Sequence, residues 1–378
     1  MATIADSIED INVGSEEERV FASSQWKLVW RRFRRHRIAV IATVIILFLY
    51  TIALFAETFA IHEPHQSTAD RAFMSPQPVR LDGFRPYVYG FKSSRDPETL
   101  AKIHEVDKET KNYIQIFARG YDYKLLGVIS TNWHLVGLKT DERPIPLYLL
   151  GTDRMGRDMW SRIMLGTRIS MSIGLIGVLI SLFLGILLGG ISGYKGGRID
   201  LLIQRVIELI RSMPTIPLWL ALSAAIPQQW SIIRVYFAIT IILSLIGWTT
   251  LAREVRGRFL SMREEDFVIA ARLYGTSPIG IIFRHMLPSF FSHIIAATTL
   301  AIPGIIIAET ALSFLGLGMR PPAISWGVLM FESQNLESVA QAPWLLLPGL
   351  FVIITVLAFN FMGDGIRDAA DPYAVQRR

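Results

Sequence analysis

The sequence predicts an all-α membrane protein of six transmembrane helices, with an extracytoplasmic α+β insert between helices 1 and 2. Three observations lead there. Of the 378 residues, 51% are hydrophobic, and they gather in runs long enough to cross a bilayer. One stretch, 60–148, is polar and aromatic-rich and carries no such run. The arginines and lysines crowd into the short segments that six spans place on one side. The net charge of +6 therefore reads as orientation and implies no nucleic-acid partner. With no cysteine, the chain has no disulfide and no thiol-based metal or redox site.

Residues 1–37 form a cytoplasmic N-terminal segment ending in WRRFRRHR over 30–37. A nucleic-acid arm has this composition too, but the apolar run that follows at once makes it a juxtamembrane cluster. The first transmembrane helix is expected over 38–59, about 22 residues, enough for roughly 30 Å of hydrocarbon. It is long for a signal-peptide core and lacks an A-x-A site, so it reads as an uncleaved anchor. The extracytoplasmic insert, 60–148, has strand-like pieces at 113–117 and 121–126 and a helix-like stretch at 97–111. His62, Glu63, Pro64 and His65 resemble a zinc motif only superficially. The i, i+4 histidine spacing is missing and Pro64 opposes a helix, so no metal ligand is assigned.

An amphipathic pre-helix is expected over 149–168, with a turn at Gly151, a cap from Thr152 or Asp153, and a helix through Asp158 and Arg162. Asp153 and Asp158 are candidates for a cation, but Arg154 and Arg157 beside them favour a structural ion-pair network. The second span, 169–192, carries Gly185 and Gly189 at G-x-x-x-G spacing, which permits close helix packing. A tight basic turn, GYKGGRID, fills 193–200, and no phosphate-binding G-x-x-x-x-G-K-[ST] occurs anywhere. The third span starts amphipathic, with Arg205, Glu208 and Arg211 drifting along one side. Snorkelling to the cytoplasmic surface and lining an inner gate are equally open for these three. Pro214 and Pro217 allow a bend, and the span runs to about 226. The fourth span is expected over about 235–251, the fifth over 291–315 and the sixth over 344–362, followed by a cytoplasmic tail, 365–378. Glu309, near the outer end of the fifth, either pairs with an arginine of a neighbouring subunit or lines a pathway.

The longest charged run between two apolar spans in the second half is 261–288, SMREEDFVIAARLYGTSPIGIIFRHMLP. Ser261 and Glu264 have capping-box spacing, so a helix should begin there. Phe267, Ala270, Ala271 and Tyr274 recur at helical spacing and share one face. Gly275 suits the left-handed residue that ends a helix. Ser277 and Pro278 then start a second helix, and Pro288 closes the unit. Two alanines on a bulky face, followed by a glycine, suit a rigid knob docking on a partner. An ordinary loop has the same spacing.

Ala270-Ala271-x-x-x-Gly275, with His285, Met286, Leu287 and Pro288 after it, resembles the EAA loop of ABC-importer permeases, the coupling helix that sits in a cleft of the ATPase subunit. Ile269 replaces the glutamate of that pattern and His285 an isoleucine, as is usual in the dipeptide/oligopeptide branch. The segment LGTDRMGRDMWSR, the 193–200 turn, 309–318 and GDGIRD over 363–368 resemble the same branch, so the likeness covers about 25–60 and 149–372. It implies the type I ABC importer permease fold, with a transmembrane type-1 core over 166–364. It also implies a half-transporter of a bacterial inner membrane, both termini cytoplasmic, that works with a second homologous permease. Two ATPase subunits carrying the ATP and Mg, and an extracytoplasmic solute-binding protein, are the other implied partners. The chain itself is expected to bind no cofactor and to catalyse nothing. Ala270, Ala271 and Gly275 would shape the docking knob. Asp266, Arg272 and His285 would give it polar contacts, with Leu287 and Pro288 completing the motif. Peptides are the default substrate, with oligosaccharide, opine or nickel as alternatives. A stand-alone secondary transporter or channel is the rival reading, and an intramembrane enzyme is disfavoured by the lack of H-E-x-x-H.

Overall fold

The computed structural model describes residues 25–95, 102–138 and 147–370. Most of the N-terminal segment, positions 97–101 of the expected insert helix, and 371–378 of the tail lie outside them. After a short basic helix α1 (Gln25–Arg35), the first span is α2 (Arg37–Leu54). The His36 Nδ1 accepts the Ala39 N–H at 3.2 Å and caps it. A small-residue face, Ala39, Ala42, Ile46 and Leu49, is buried, while Ile38, Ile41, Val44, Leu47 and Phe48 stay exposed. A helix apolar on every side belongs in lipid or between subunits. A turn of helix, α3 (Ala56–Phe59), ends it.

The insert is a four-stranded antiparallel meander, β1 (Arg80–Asp82), β2 (Arg85–Arg95), β3 (Lys102–Leu125) and β4 (Ile129–Leu138). The long β3 pairs with β2 along its first half and with β4 along its second. The helix expected over 97–111 is corrected: 102–111 is strand, with 102–107 paired to Gly90–Arg95, a bulge over 108–110, and Lys111 opposite Tyr89. Its lysines and glutamates favour helix locally, but pairing with a neighbouring strand overrides propensity. The sheet is held to the bundle by His134, whose Nδ1 lies 2.7 Å from the Ala60 carbonyl oxygen, and by Tyr123, whose hydroxyl lies 2.9 Å from Thr58 Oγ1.

The pre-helix and second span are one helix of 37 residues, α4 (Met159–Lys195), capped by Asp158, not by Thr152 or Asp153. At about 1.5 Å per residue it outruns the roughly 30 Å hydrocarbon layer. Gly185, Gly189 and Gly193 bring it against α7 (Ile232–Met262) so closely that a Cβ at Gly189 would lie 2.4 Å from the Ala252 carbonyl oxygen. The third span is α5 (Gly197–Ser212) and α6 (Thr215–Ala224), bent by 87° at Pro214. The helix continues past Ser261, so that residue caps nothing: α7 ends at Met262, and α8 (Asp266–Leu273) begins after Glu265 without a side-chain cap.

Pro288 does not close the elbow either. A single helical run, α9 (Pro278–Phe314), carries the chain from the elbow through the fifth span. Over Ile281–Met286 it widens to a π turn, in which the Leu287 N–H reaches back to the Ile282 carbonyl. The widened turn absorbs a proline that has no N–H to give. Short helices α10 (Trp326–Phe331) and α11 (Leu336–Gln341) lead to α12 (Leu347–Ala370), the last span. The main core lies where α2, α4, α9 and α12 meet around Trp326 and Phe359. Among the described residues, five helices are thus long and apolar enough to span, or six if the bent pair is one.

Candidate functional site

The sheet stands at one end of the bundle and the α8 elbow at the other. Schellman bonds end α8. The Gly275 N–H bonds the Arg272 carbonyl at 3.0 Å and the Thr276 N–H the Ala271 carbonyl at 3.1 Å. Gly275 has φ +75° and open space where a Cβ would be, so conformation alone selects glycine there. The Ser277 Oγ then accepts the Gly280 N–H at 3.2 Å, with Pro278 next, and α9 starts.

The two alanines do not share a face. Ala271 is buried with Val268 against Phe259, Met262, Ile282 and Met286, and Ala270 is exposed. A helix of eight residues is thereby pinned by one apolar seam to both neighbouring spans. Its outward side presents Phe267, Leu273 and Tyr274, the last two 84% and 90% exposed. Asp266 sits in the first turn, where a carboxylate suits the helix dipole. Arg272 lies over the Tyr194 ring at 5.5 Å, tying the elbow to the end of α4. Behind it, Asp200 takes a two-pronged bond from Arg256 at 2.5 and 2.6 Å. His285 and Leu287 are half-buried, and Pro288 is exposed. Arg34, Arg35, Arg37, Lys195, Arg198 and Arg367 all lie near this end, at the starts or ends of helices.

The four pathway candidates separate. Arg205 and Glu208 pair with each other at 2.7 Å on an exposed surface of α5. Arg211 donates to Thr250 Oγ1 at 3.1 Å and lines a cavity of about 340 Å³ with Ser181, Trp219, Gly247 and Gly304. Glu309 is wholly buried within this chain and meets no arginine among the described residues. Ser313 and Ser325 hydroxyls donate to it at 2.8 Å and Ser170 at 3.4 Å. Pairing with a neighbouring subunit's arginine is corrected accordingly. Ser313 was visible at i+4, but Ser170 and Ser325 arrive from other elements, beyond any local pattern. The same holds for His293, which meets Glu254 of α7 at 3.4 Å with both side chains exposed.

Asp153 and Asp158 go separate ways. Asp153 bonds Arg157 at 2.6 Å and lies 3.5 Å from Arg162, and Arg157 also reaches Glu332 at 3.0 Å. Burial pushes the Glu332 carboxyl up, with Arg157 opposing it. Arg154 is exposed and makes no ion pair among the described residues. No group of three metal-binding side chains occurs among them.

Long apolar helices, a basic end, and an exposed elbow packed into that end define a membrane-embedded protein. The chain belongs to the family of binding-protein-dependent transport system inner membrane components, whose model matches residues 159–374. A second model, the N-terminal TM domain of oligopeptide transport permease C, matches 24–77. The chain is 34% identical over 261 residues to the oligopeptide transport system permease protein OppC of Bacillus subtilis, covering 69% of this chain and 80% of that one. Against the dipeptide transport system permease protein DppC of Lactococcus lactis subsp. cremoris it is 32% identical over 362 residues, 93% of this chain and 92% of that one. A chain of the MetNI methionine ABC transporter, solved in inward-facing conformations, overlaps 55% of this chain and 94% of its own length at 16% identity and TM-score 0.43.

Proposed function

We propose that this chain is one of two homologous permeases in an ATP-driven importer of peptides, and that the α8 elbow is where one of two ATPase subunits acts on it. The observation that carries the reading is the build of the elbow: a short helix closed by Gly275, seamed through Val268 and Ala271 to α7 and α9, with Leu273 and Tyr274 turned outward. A push on such a unit moves two spans together. The basic residues around it support placing that end, and both termini, in the cytoplasm, with the sheet outside, facing a solute-binding protein. The peptide substrate rests on the names of the relatives. Ala270, Asp266, Arg272 and His285 supply the elbow's contacts, and Arg211 lines the route. ATP and Mg are held by the ATPases, and no cofactor by this chain.

Reconstitution in proteoliposomes tests the reading. Labelled di- or oligopeptide should enter only when both permeases, the ATPases, the binding protein and ATP are present. Uptake by this chain alone would instead establish a stand-alone carrier, and competition by oligosaccharide, opine or nickel would replace the peptide.

A further inference from the structure

The turn between β3 and β4 is apolar where a solvent-exposed hairpin tip is normally polar. It runs Leu125, Leu126, Gly127, Val128 and Ile129 between Lys124 and Ser130. Leu126 is 54% exposed, Val128 81% and Ile129 60%. Leu126 and Gly127 have φ of +51° and +75°. Consecutive left-handed positions favour Asn-Gly, and a leucine there is conformationally disfavoured. The sequence therefore holds an apolar side chain at the tip against the preference of its own backbone.

The tip's position supplies a reason. The Tyr123–Thr58 contact fixes the strands level with the end of α3, and the hairpin continues beyond it. Leu126 and Gly127 wall a cavity of about 430 Å³ whose other side is Tyr50, Ala53 and Leu54 of α2 and Ser172 and Leu175 of α4. Arg168 and Glu57, bonded at 2.5 Å, mark the polar edge of that cavity. Tyr50 lies seven residues before Glu57 and Leu175 seven after Arg168, each about 10 Å farther into the bundle at 1.5 Å per residue. The tip thus hangs beside the exposed Leu54 and Leu175, on the same two helices that expose Leu47, Phe48 and Leu179, surfaces that belong to the hydrocarbon layer.

We propose that the β3–β4 tip is a membrane anchor: Leu126, Val128 and Ile129 enter the acyl chains of the outer leaflet beside the first two spans. Lys124 extends its ammonium back to the phosphates. Trp133, half-exposed under Arg119 at 5.4 Å, stands where interfacial aromatics gather. The anchor fixes the outer sheet relative to the bilayer as well as to the bundle. It rests on the orientation proposed above, with the sheet outside, and not on what is transported.

The chain has no cysteine, so Val128→Cys and, separately, Ile129→Cys each give one site for a nitroxide label. Phe84→Cys, at the fully exposed β1–β2 turn, gives a reference. With the assembled complex in phosphatidylethanolamine/phosphatidylglycerol nanodiscs, collisional relaxation by oxygen and by a water-soluble nickel chelate reports depth. The proposal expects the oxygen-to-nickel ratio at 128 and 129 to exceed that at 84 several-fold. Equal ratios place the tip in water, and protection from both reagents places it under protein. Either result overturns the anchor.

Discussion

A Cβ at Gly189 would lie 2.4 Å from the Ala252 carbonyl oxygen, whereas one at Gly275 or Gly257 would touch nothing. Gly189→Ala must therefore part α4 from α7, at a cost of about 1–3 kcal/mol. Gly275→Ala strains only the backbone at φ +75°, by about 1–2 kcal/mol. Gly257→Ala, in a helix with free space, should be neutral or stabilising by about 0.4–1 kcal/mol. Thermal unfolding in detergent ranks the three, and equal losses would refute the distinction. Glu309 offers a second contrast. Each of its serines also accepts a backbone N–H, from Trp326, Met319 and Val328. Glu309→Leu strands three buried hydroxyls and should cost roughly 3 kcal/mol, while Glu309→Gln keeps an acceptor and should cost roughly 1. The same unfolding assay decides, and partner assembly should survive Glu309→Gln because the group faces no neighbour. In the sequence, the acid within a span was legible. Of its three partners only Ser313, one turn on, was within reach of a local pattern, since Ser170 and Ser325 come from other elements.

At the scale of elements, the elbow divides the same way. Gly275, Ser277 and Pro278 do locally what their types suggest, because caps and turns are decided by a few adjacent residues. Ser261 does not. Val255, Phe259 and Met262 bury one face of α7 through that point, and burial holds the helix past its capping signal. Residues 102–111 fail for the same reason, since a partner strand outweighs local helix preference. The sheet's attachment carries a pH dependence. Burial raises the Glu57 carboxyl, but the bonds from Arg168 outweigh it and hold the group below its ordinary range. A group depressed on folding stabilises the fold above its unfolded pKa and loses that contribution as pH falls through the folded value. Acidification below about pH 4 should thus loosen α3 from α4, and with it the Glu57, Thr58 and Ala60 contacts that hold the sheet. Hydrogen exchange at 57–62 and 130–135, corrected for intrinsic rate, should rise there in the wild type. In Glu57→Gln it should already be raised at neutral pH. Unchanged protection in both would remove the ion pair from the account.

For the molecule as a whole, the five long apolar helices and the crowding of basic residues at one end were legible, because hydrocarbon thickness and charge placement act on composition directly. The 87° break in the third span was visible only as two prolines, which permit a bend without setting its angle. How the bundle is driven turns on the elbow. Tyr274→Cys introduces a single thiol at its most exposed ring. In the assembled importer it should crosslink to an ATPase subunit through a short bismaleimide, with a yield that changes between nucleotide-free and ATP-bound states. A Tyr274→Cys variant that labels freely with a water-soluble reagent added outside sealed cells, and never joins an ATPase, would contradict the account.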